Sequence, residues 1–218
     1  MAQNSIRVET SLDAERRVVV TGMGINSCLG TTLEEVAESL KEAKCGIEFN
    51  ELYKEKGMKS NVCGRPKYTE DDFKELIPKN SLRFMGTNAK YAYIAMKDAI
   101  DDAGLKPEEY EENPRIAAIL GQGGTSIPDI TETVDAVNSG HKRWKNKVGP
   151  FRVTKSMGST VSAVLTTAFK LQGPSYSISS ACSTGAHCIG TGMEQILLGK
   201  SDIAMCGAGK CTKVSFLR

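Results

Sequence analysis

Ser180-Ala181-Cys182-Ser183-Thr184-Gly185-Ala186-His187-Cys188 is the stretch on which the rest of the chain turns. Upstream, Ser175-Tyr176-Ser177-Ile178-Ser179 alternates polar and larger residues as a short strand does. Downstream, Ile189, Met193, Ile196 and Leu197 recur at helical spacing, and Gly199 stands where a helix would stop. Cys182 is thereby predicted on a sharp strand-to-helix turn, at or beside the first turn of the helix. The positive end of a helix favours a thiolate, and the thiolate is the nucleophile. Small neighbours leave room for a carbonyl, and backbone N–H groups at a helix start are donors for an oxyanion. The local pattern leaves two readings open, a nucleophile and a buried inert cysteine.

Working outward, strand and helix alternate. Arg17-Val18-Val19-Val20 reads as a buried strand entering the Gly22-Met23-Gly24 turn. Thr31 and Glu34 have capping-box spacing before a helix with Leu33, Val36 and Leu40 on its face. Cys45 to Tyr68 is expected to be an irregular surface excursion. A long helix is predicted from about Phe84 to Ala103, with Tyr93, Ile94, Met96 and Ile100 inward and Gly104 after its end. Ile116-Ala117-Ala118-Ile119-Leu120 is a second buried strand, followed by the Gly121-Gln122-Gly123-Gly124 turn and a polar, partly helical segment to Gly149-Pro150. A helix over 155–171 and a last strand, Asp202 to Cys206, complete the layout. Such βαβ units predict a single α/β domain with a mostly parallel sheet covered by helices.

The bulk properties narrow the function classes. With 218 residues, 40% hydrophobic and 25% charged, the chain can bury a real core. A net charge of +2 gives no reason to expect a nucleic-acid partner. Seven cysteines occur without a CxxC pair or a zinc-type Cys/His cluster, so neither a metal nor a disulfide framework is expected. The first fifteen residues carry Glu9, Asp13 and Glu15 and no apolar core, unlike a leader peptide, and no apolar run has membrane-spanning length. A reducing cytoplasm is the expected location. The two Gly clusters are not nucleotide motifs: Ser27 replaces the third glycine of GxGxxG, and the Gly121 cluster lacks GK[ST]. Each reads as a tight turn after a buried strand.

SISSACSTGAHCIGTGMEQILLGKSDIAMCGAG, ending at Gly209, resembles the active-cysteine region of the β-ketoacyl-acyl carrier protein synthases, the elongating condensing enzymes of fatty-acid synthesis. RRVVVTGMGINSCLG, LRFMGTNAKYAYIAMKDAIDDAGL and VGPFRVTKSMGSTVSAVL match in the same order, so the resemblance runs from about Arg16 to Gly209. It implies the N-terminal half of a duplicated thiolase-like fold and a nucleophilic role for Cys182. It also places Gly124 at the acyl pocket, where it helps set how deep a chain reaches. A glycine there is more like the type I than the type II synthases. Lys79, Arg83 and Arg143 match positions where the family turns basic residues toward an acyl carrier protein. They lie in two short basic stretches, the second being His141, Lys142, Arg143, Lys145 and Lys147 around Trp144. Such a patch would steer an acidic carrier, although a simply solvated surface has the same composition. No cofactor is implied; a homodimer is.

The family's decarboxylating chemistry uses two histidines and a lysine, carried in HGTST-like and GHSLGA-like motifs that these 218 residues do not contain. The GFGG-type turn that supplies a second oxyanion donor is also missing. His141 and His187 match neither catalytic histidine, and His187, five positions after Cys182, reads as structural. A thiol protease is disfavoured because no histidine base is presented to Cys182. Residues 1–15 are expected to be an extension, 16–209 the N-terminal synthase domain, and 210–218 a non-matching tail. That tail has the character of an out-of-frame end, with a genuine short form as the competing account. Acyl transfer to Cys182 is expected, but not condensation by these residues alone. Two alternatives are a non-catalytic carrier-binding or dimerising fragment and a non-functional truncated product.

Overall fold

The computed structural model describes residues 17–140 and 142–209. The expectations for the 1–15 extension, His141 and the 210–218 tail lie outside the described residues.

Helix α1 (Leu33–Lys41) starts one residue later than the Thr31–Glu34 spacing suggests. Thr32 accepts from the Glu35 amide, while the Glu35 carboxylate closes back on the Thr31 amide at 2.8 Å. Val36 is buried, but Leu40 is exposed; Ser39 takes the inward place and donates to the Leu29 carbonyl at 2.8 Å. The stretch expected to be irregular holds two short strands, β1 (Ile47–Phe49) and β2 (Val62–Gly64), paired antiparallel on either side of α2 (Glu51–Glu55). Gly46 and Gly64 let this ribbon lie directly on Cys28, where a Cβ at either position would clash.

Helices α3 (Glu70–Leu76) and α4 (Lys79–Leu82) lead into α5 (Thr87–Asp102), the predicted long helix. Tyr93, Ile94, Met96 and Ile100 are all buried, and Gly104 closes the helix at φ +68°. After α6 (Pro107–Tyr110) comes β3 (Ile116–Gln122), buried along its whole length. Helices α7 (Ile127–Asn138), α8 (Trp144–Val148), α9 (Arg152–Ser156) and α10 (Thr160–Ala168) follow. The single helix expected over 155–171 is thus two, because Met157 is extended and the Thr160 hydroxyl turns back to the Met157 carbonyl at 2.8 Å. Last come β4 (Ser175–Tyr176), a 3-10 turn (Ala181–Ser183), α11 (Thr184–Leu197) and β5 (Ile203–Gly209).

The sheet has the order β4-β3-β5 and is parallel throughout. Period-two alternation along β3 sends Ile116, Ala118 and Leu120 into the core made with α5 and α10. Ala117 and Ile119 face Cys188 of α11 on the other side. The α/β arrangement with helices on both faces is the one expected.

One further expectation needs correction. Arg17–Val20 is not a buried strand: Val19 and Val20 are 63% and 75% exposed, and no ladder includes them. A strand needs a neighbour for its backbone groups. Instead the segment runs onto α5, where Gly22 and Gly24 press against the Ala99 and Ala95 carbonyls and a Cβ would come within 2.2 and 1.9 Å. On α11 the apolar row Ile189 and Met193 is exposed, whereas Thr184, Cys188, Gly192 and Gln195 face inward. β5 lies so close at this point that a Cβ on Gly192 would meet the Cys206 sulfur at 2.1 Å, so position 192 has no room for a side chain.

Helix α7 turns an apolar stripe outward: Ile127, Ile130, Val134 and Val137 are 39–46% exposed at helical spacing. Such a contiguous patch is associative. The chain is expected to bind a hydrophobic dye and self-associate in sedimentation. Ile130→Lys with Val134→Lys should lower both signals. A dye-silent, monodisperse wild-type monomer would contradict this.

Candidate active site

Cys182 is exposed, in the 3-10 turn that carries the chain from β4 into α11. The strand side is tied to α10 by hydroxyl pairs, Ser162–Ser177 at 2.7 Å and Thr166–Ser175 at 2.8 Å. On the helix side, buried Thr184 and Cys188 anchor the first turns against the sheet. Between these fixed ends Ala181 takes φ +50°, a left-handed conformation that a side chain rarely adopts. Thr184 Oγ1 holds the bend by accepting from the Ser180 amide at 2.9 Å and donating to the Ala181 carbonyl at 2.8 Å. The Ser183 amide donates to the Ser180 carbonyl at 3.0 Å. The predicted sharp strand-to-helix turn is present, and Cys182 is exposed on it rather than buried.

Gly124 lies just beyond β3, exposed, with open space where a side chain would project. Its neighbour Gly123 packs against the backbone of Ala181, with a built Cβ 2.7 Å from the Ala181 carbonyl oxygen. The two turns singled out in the sequence, 58 positions apart, therefore meet at the residue preceding Cys182. Beneath them lies a buried polar node. Asn88 Nδ2 donates to the Gly124 carbonyl at 2.8 Å and to Gln122 Oε1 at 3.1 Å, and Gln122 Nε2 donates to the Met157 carbonyl at 3.0 Å. Sequence reasoning missed Asn88 and Gln122, although a glutamine ending an apolar strand is a visible anomaly. Two cavities, of about 390 and 280 Å³, are lined by residues of 23–102 and include no residue of either turn.

The basic residues lie on two segments, α4 and α8. Lys79 begins α4 and Arg83 ends it, with the Arg83 guanidinium 4.8 Å from the centre of the Phe84 ring and 5.5 Å from that of Phe151. Phe151 is the N-cap of α9, and Arg143 is the N-cap of α8. Arg83 and Arg143 are exposed, and Trp144 is half-buried with the Lys145 ammonium 5.9 Å from its ring. Arg152 clamps α9 to α7 through Asp129 at 2.7 Å and through Glu132.

Two further thiols lie behind Cys182. Burial raises the pKa of Cys188. Burial first, and then the adjacent Cys188, pushes Cys206 up to about 12. His187 is exposed and its Nδ1 lies 2.7 Å from Ser180 Oγ; among the described residues no hydrogen bond joins it to Cys182. That agrees with a structural rather than a base role. No described helix is long and apolar enough to cross a membrane.

Comparison with known proteins agrees with this geometry. Residues 15–215 match the family model for the beta-ketoacyl synthase N-terminal domain. The chain is 47% identical over 195 residues to the 3-oxoacyl-[acyl-carrier-protein] synthase 1 of Escherichia coli K12, covering 89% of this chain and 47% of that protein. It thus spans about half the length of the curated relatives it matches. Among solved structures, the ishigamide ketosynthase/chain length factor superimposes with a TM-score of 0.75 at 26% identity, covering 91% of this chain and 49% of the other. A type II polyketide ketosynthase in complex with its acyl-carrier protein shares the fold, with a TM-score of 0.71 at 18% identity and coverage of 91% and 51%.

Proposed function

The chain belongs to the β-ketoacyl synthase family, and from that premise we propose that it carries the acyl-accepting half of a 3-oxoacyl-[acyl-carrier-protein] synthase of fatty-acid synthesis. The observation that carries this reading is the exposed Cys182 on its strained turn at the head of α11. The Cys182 thiolate attacks the carbonyl carbon of an acyl thioester on the carrier protein, and a carbon–sulfur bond forms. The oxyanion so produced sits against backbone N–H groups at the start of the turn. It collapses, breaking the bond to the carrier's sulfur, which leaves as a thiol after taking up a proton. Gly124 leaves the acyl chain room beside the nucleophile, and residues 16–209 form the domain that does this work. The decarboxylating step falls to none of the 218 residues, because neither histidine motif is among them.

Lys79, Arg83 and Arg143 form the carrier-protein contact in this reading. Arg83, held on two aromatic faces, presents its donors with little entropy left to lose. The likeness to a ketosynthase with its carrier bound supports the fold of such an encounter. A cytoplasmic location suits this chemistry, and pairing with a second copy suits the outward apolar stripe of α7.

Incubation with acyl-carrier protein radiolabelled in the acyl group should load one acyl group on Cys182. Added malonyl-carrier protein should yield no 3-oxoacyl product. Arg83→Glu with Arg143→Glu should slow loading about tenfold or more, and most at low salt, as loss of charge steering predicts. Elongation by the chain alone, or loading indifferent to both charge reversals, would overturn the corresponding part of the proposal.

A further inference from the structure

The hydrogen bond between Ser180 and His187 has no part in the chemistry just described, yet it reaches the residue two places before the nucleophile. Ser180 Oγ and His187 Nδ1 lie 2.7 Å apart at the surface. His187 itself is carried rigidly. Cys188, the next residue, is fully buried against β3 and β5, and Thr184, one turn back, is 1% exposed. The ring therefore extends from a fixed point on α11 to the far side of the bend.

The bend needs such support. Ala181 is held at φ +50°, and a non-glycine residue stays there when its surroundings over-determine it. From below, Thr184 Oγ1 fixes the Ser180 amide and the Ala181 carbonyl, and Gly123 backs the same carbonyl. Those contacts restrain the backbone from the core side. The imidazole restrains the Ser180 side chain from the solvent side, closing a ring of constraints around the residue before Cys182.

We propose that His187 is a positioning residue: through Ser180 it holds the Ala181 bend and so aims the Cys182 sulfur at an incoming thioester carbonyl. The inference rests on Cys182 being the acyl acceptor. Orientation of this kind matters because a displacement of about 1 Å at a reacting atom can cost on the order of a hundredfold in rate. It also gives the second histidine of the chain a task that requires no proton transfer.

The test compares two reactions of the same sulfur. Acylation by hexanoyl-N-acetylcysteamine requires a directed approach to a carbonyl, whereas alkylation by iodoacetamide requires mainly an accessible thiolate. His187→Ala is expected to slow acylation about tenfold while leaving Cys182 alkylation and the urea midpoint within twofold and experimental error of wild type. Ser180→Ala should do the same, and the double variant should be no slower than either single one, as expected for two ends of one contact. His187→Asn, with its amide near the place of Nδ1, should restore most of the rate. Unchanged acylation in His187→Ala, strictly additive losses, a parallel fall in alkylation, or no rescue by asparagine would each overturn the proposal. Wild type that is alkylated at Cys182 but never acylated would instead overturn the acyl-acceptor reading, and the positioning role with it.

Discussion

Cys182→Ser is expected to abolish acyl loading, lowering it by three orders of magnitude or more, as removal of a nucleophile does elsewhere. A serine hydroxyl at this position keeps the size and exposure of the thiol but is a far weaker nucleophile without a base, and no histidine is hydrogen-bonded to Cys182 among the described residues. Cys188 and Cys206, which follow on α11 and β5, are poorer nucleophiles than an exposed thiol. Cys188 is fully buried with its pKa raised by that burial, and burial pushes Cys206 up to about 12, which disfavours the thiolate at both. Acylated protein digested to peptides should therefore carry its label on the peptide containing Cys182. The fold should survive, since Cys182 is exposed and serine is nearly the same size. Undiminished loading of the serine variant, or label on Cys188 or Cys206, would refute the assignment of the nucleophile.

What the sequence made legible follows the strength of each physical signal. Ile116–Leu120 was readable because a central parallel strand is apolar on both faces, and this one is buried throughout. The α5 core residues were readable from their spacing. The face of α11 was not. Ile189 and Met193 have helical spacing, but the helix turns Thr184, Cys188, Gly192 and Gln195 inward, and at Gly192 the contact with Cys206 leaves no room for a side chain. Val18–Val20 has strand composition, yet composition cannot supply the neighbouring strand that pairing requires. At the site, the local pattern located the turn at Cys182, whereas the meeting of Gly123 with Ala181 is a tertiary contact that leaves no periodic trace. The spacing of His187 from Cys182 gives no hint of its partner, Ser180, seven positions back across the bend.

That meeting of turns carries the second large effect, and two glycines three positions apart separate its causes. Gly121→Ala should be severely destabilising. A Cβ there would lie 2.1 Å from the Ile178 carbonyl oxygen, 3.1 Å from its carbon and 2.6 Å from Thr184 Cγ2. Two of these obstacles are backbone, so no rotamer change can relieve the clash. β3 must move away from the segment leading to Ser180, or Thr184 must leave its buried seat. Overpacking of this kind costs about 3 kcal/mol. Displacing Thr184 also removes the hydroxyl that fixes the Ser180 amide and the Ala181 carbonyl, so acyl loading should fall beyond what the unfolded fraction explains. Gly124→Ala meets nothing within 4 Å and should leave stability within about 0.5 kcal/mol of wild type. A larger side chain at 124, such as leucine, should keep that stability while excluding long acyl chains more than short ones. Urea denaturation of the three variants, with loading measured for short and long acyl groups, tests both parts. If Gly121→Ala is as stable as Gly124→Ala, the close seating of β3 on the nucleophile turn is wrong. If leucine at 124 leaves the chain-length preference unchanged, Gly124 does not border the acyl chain.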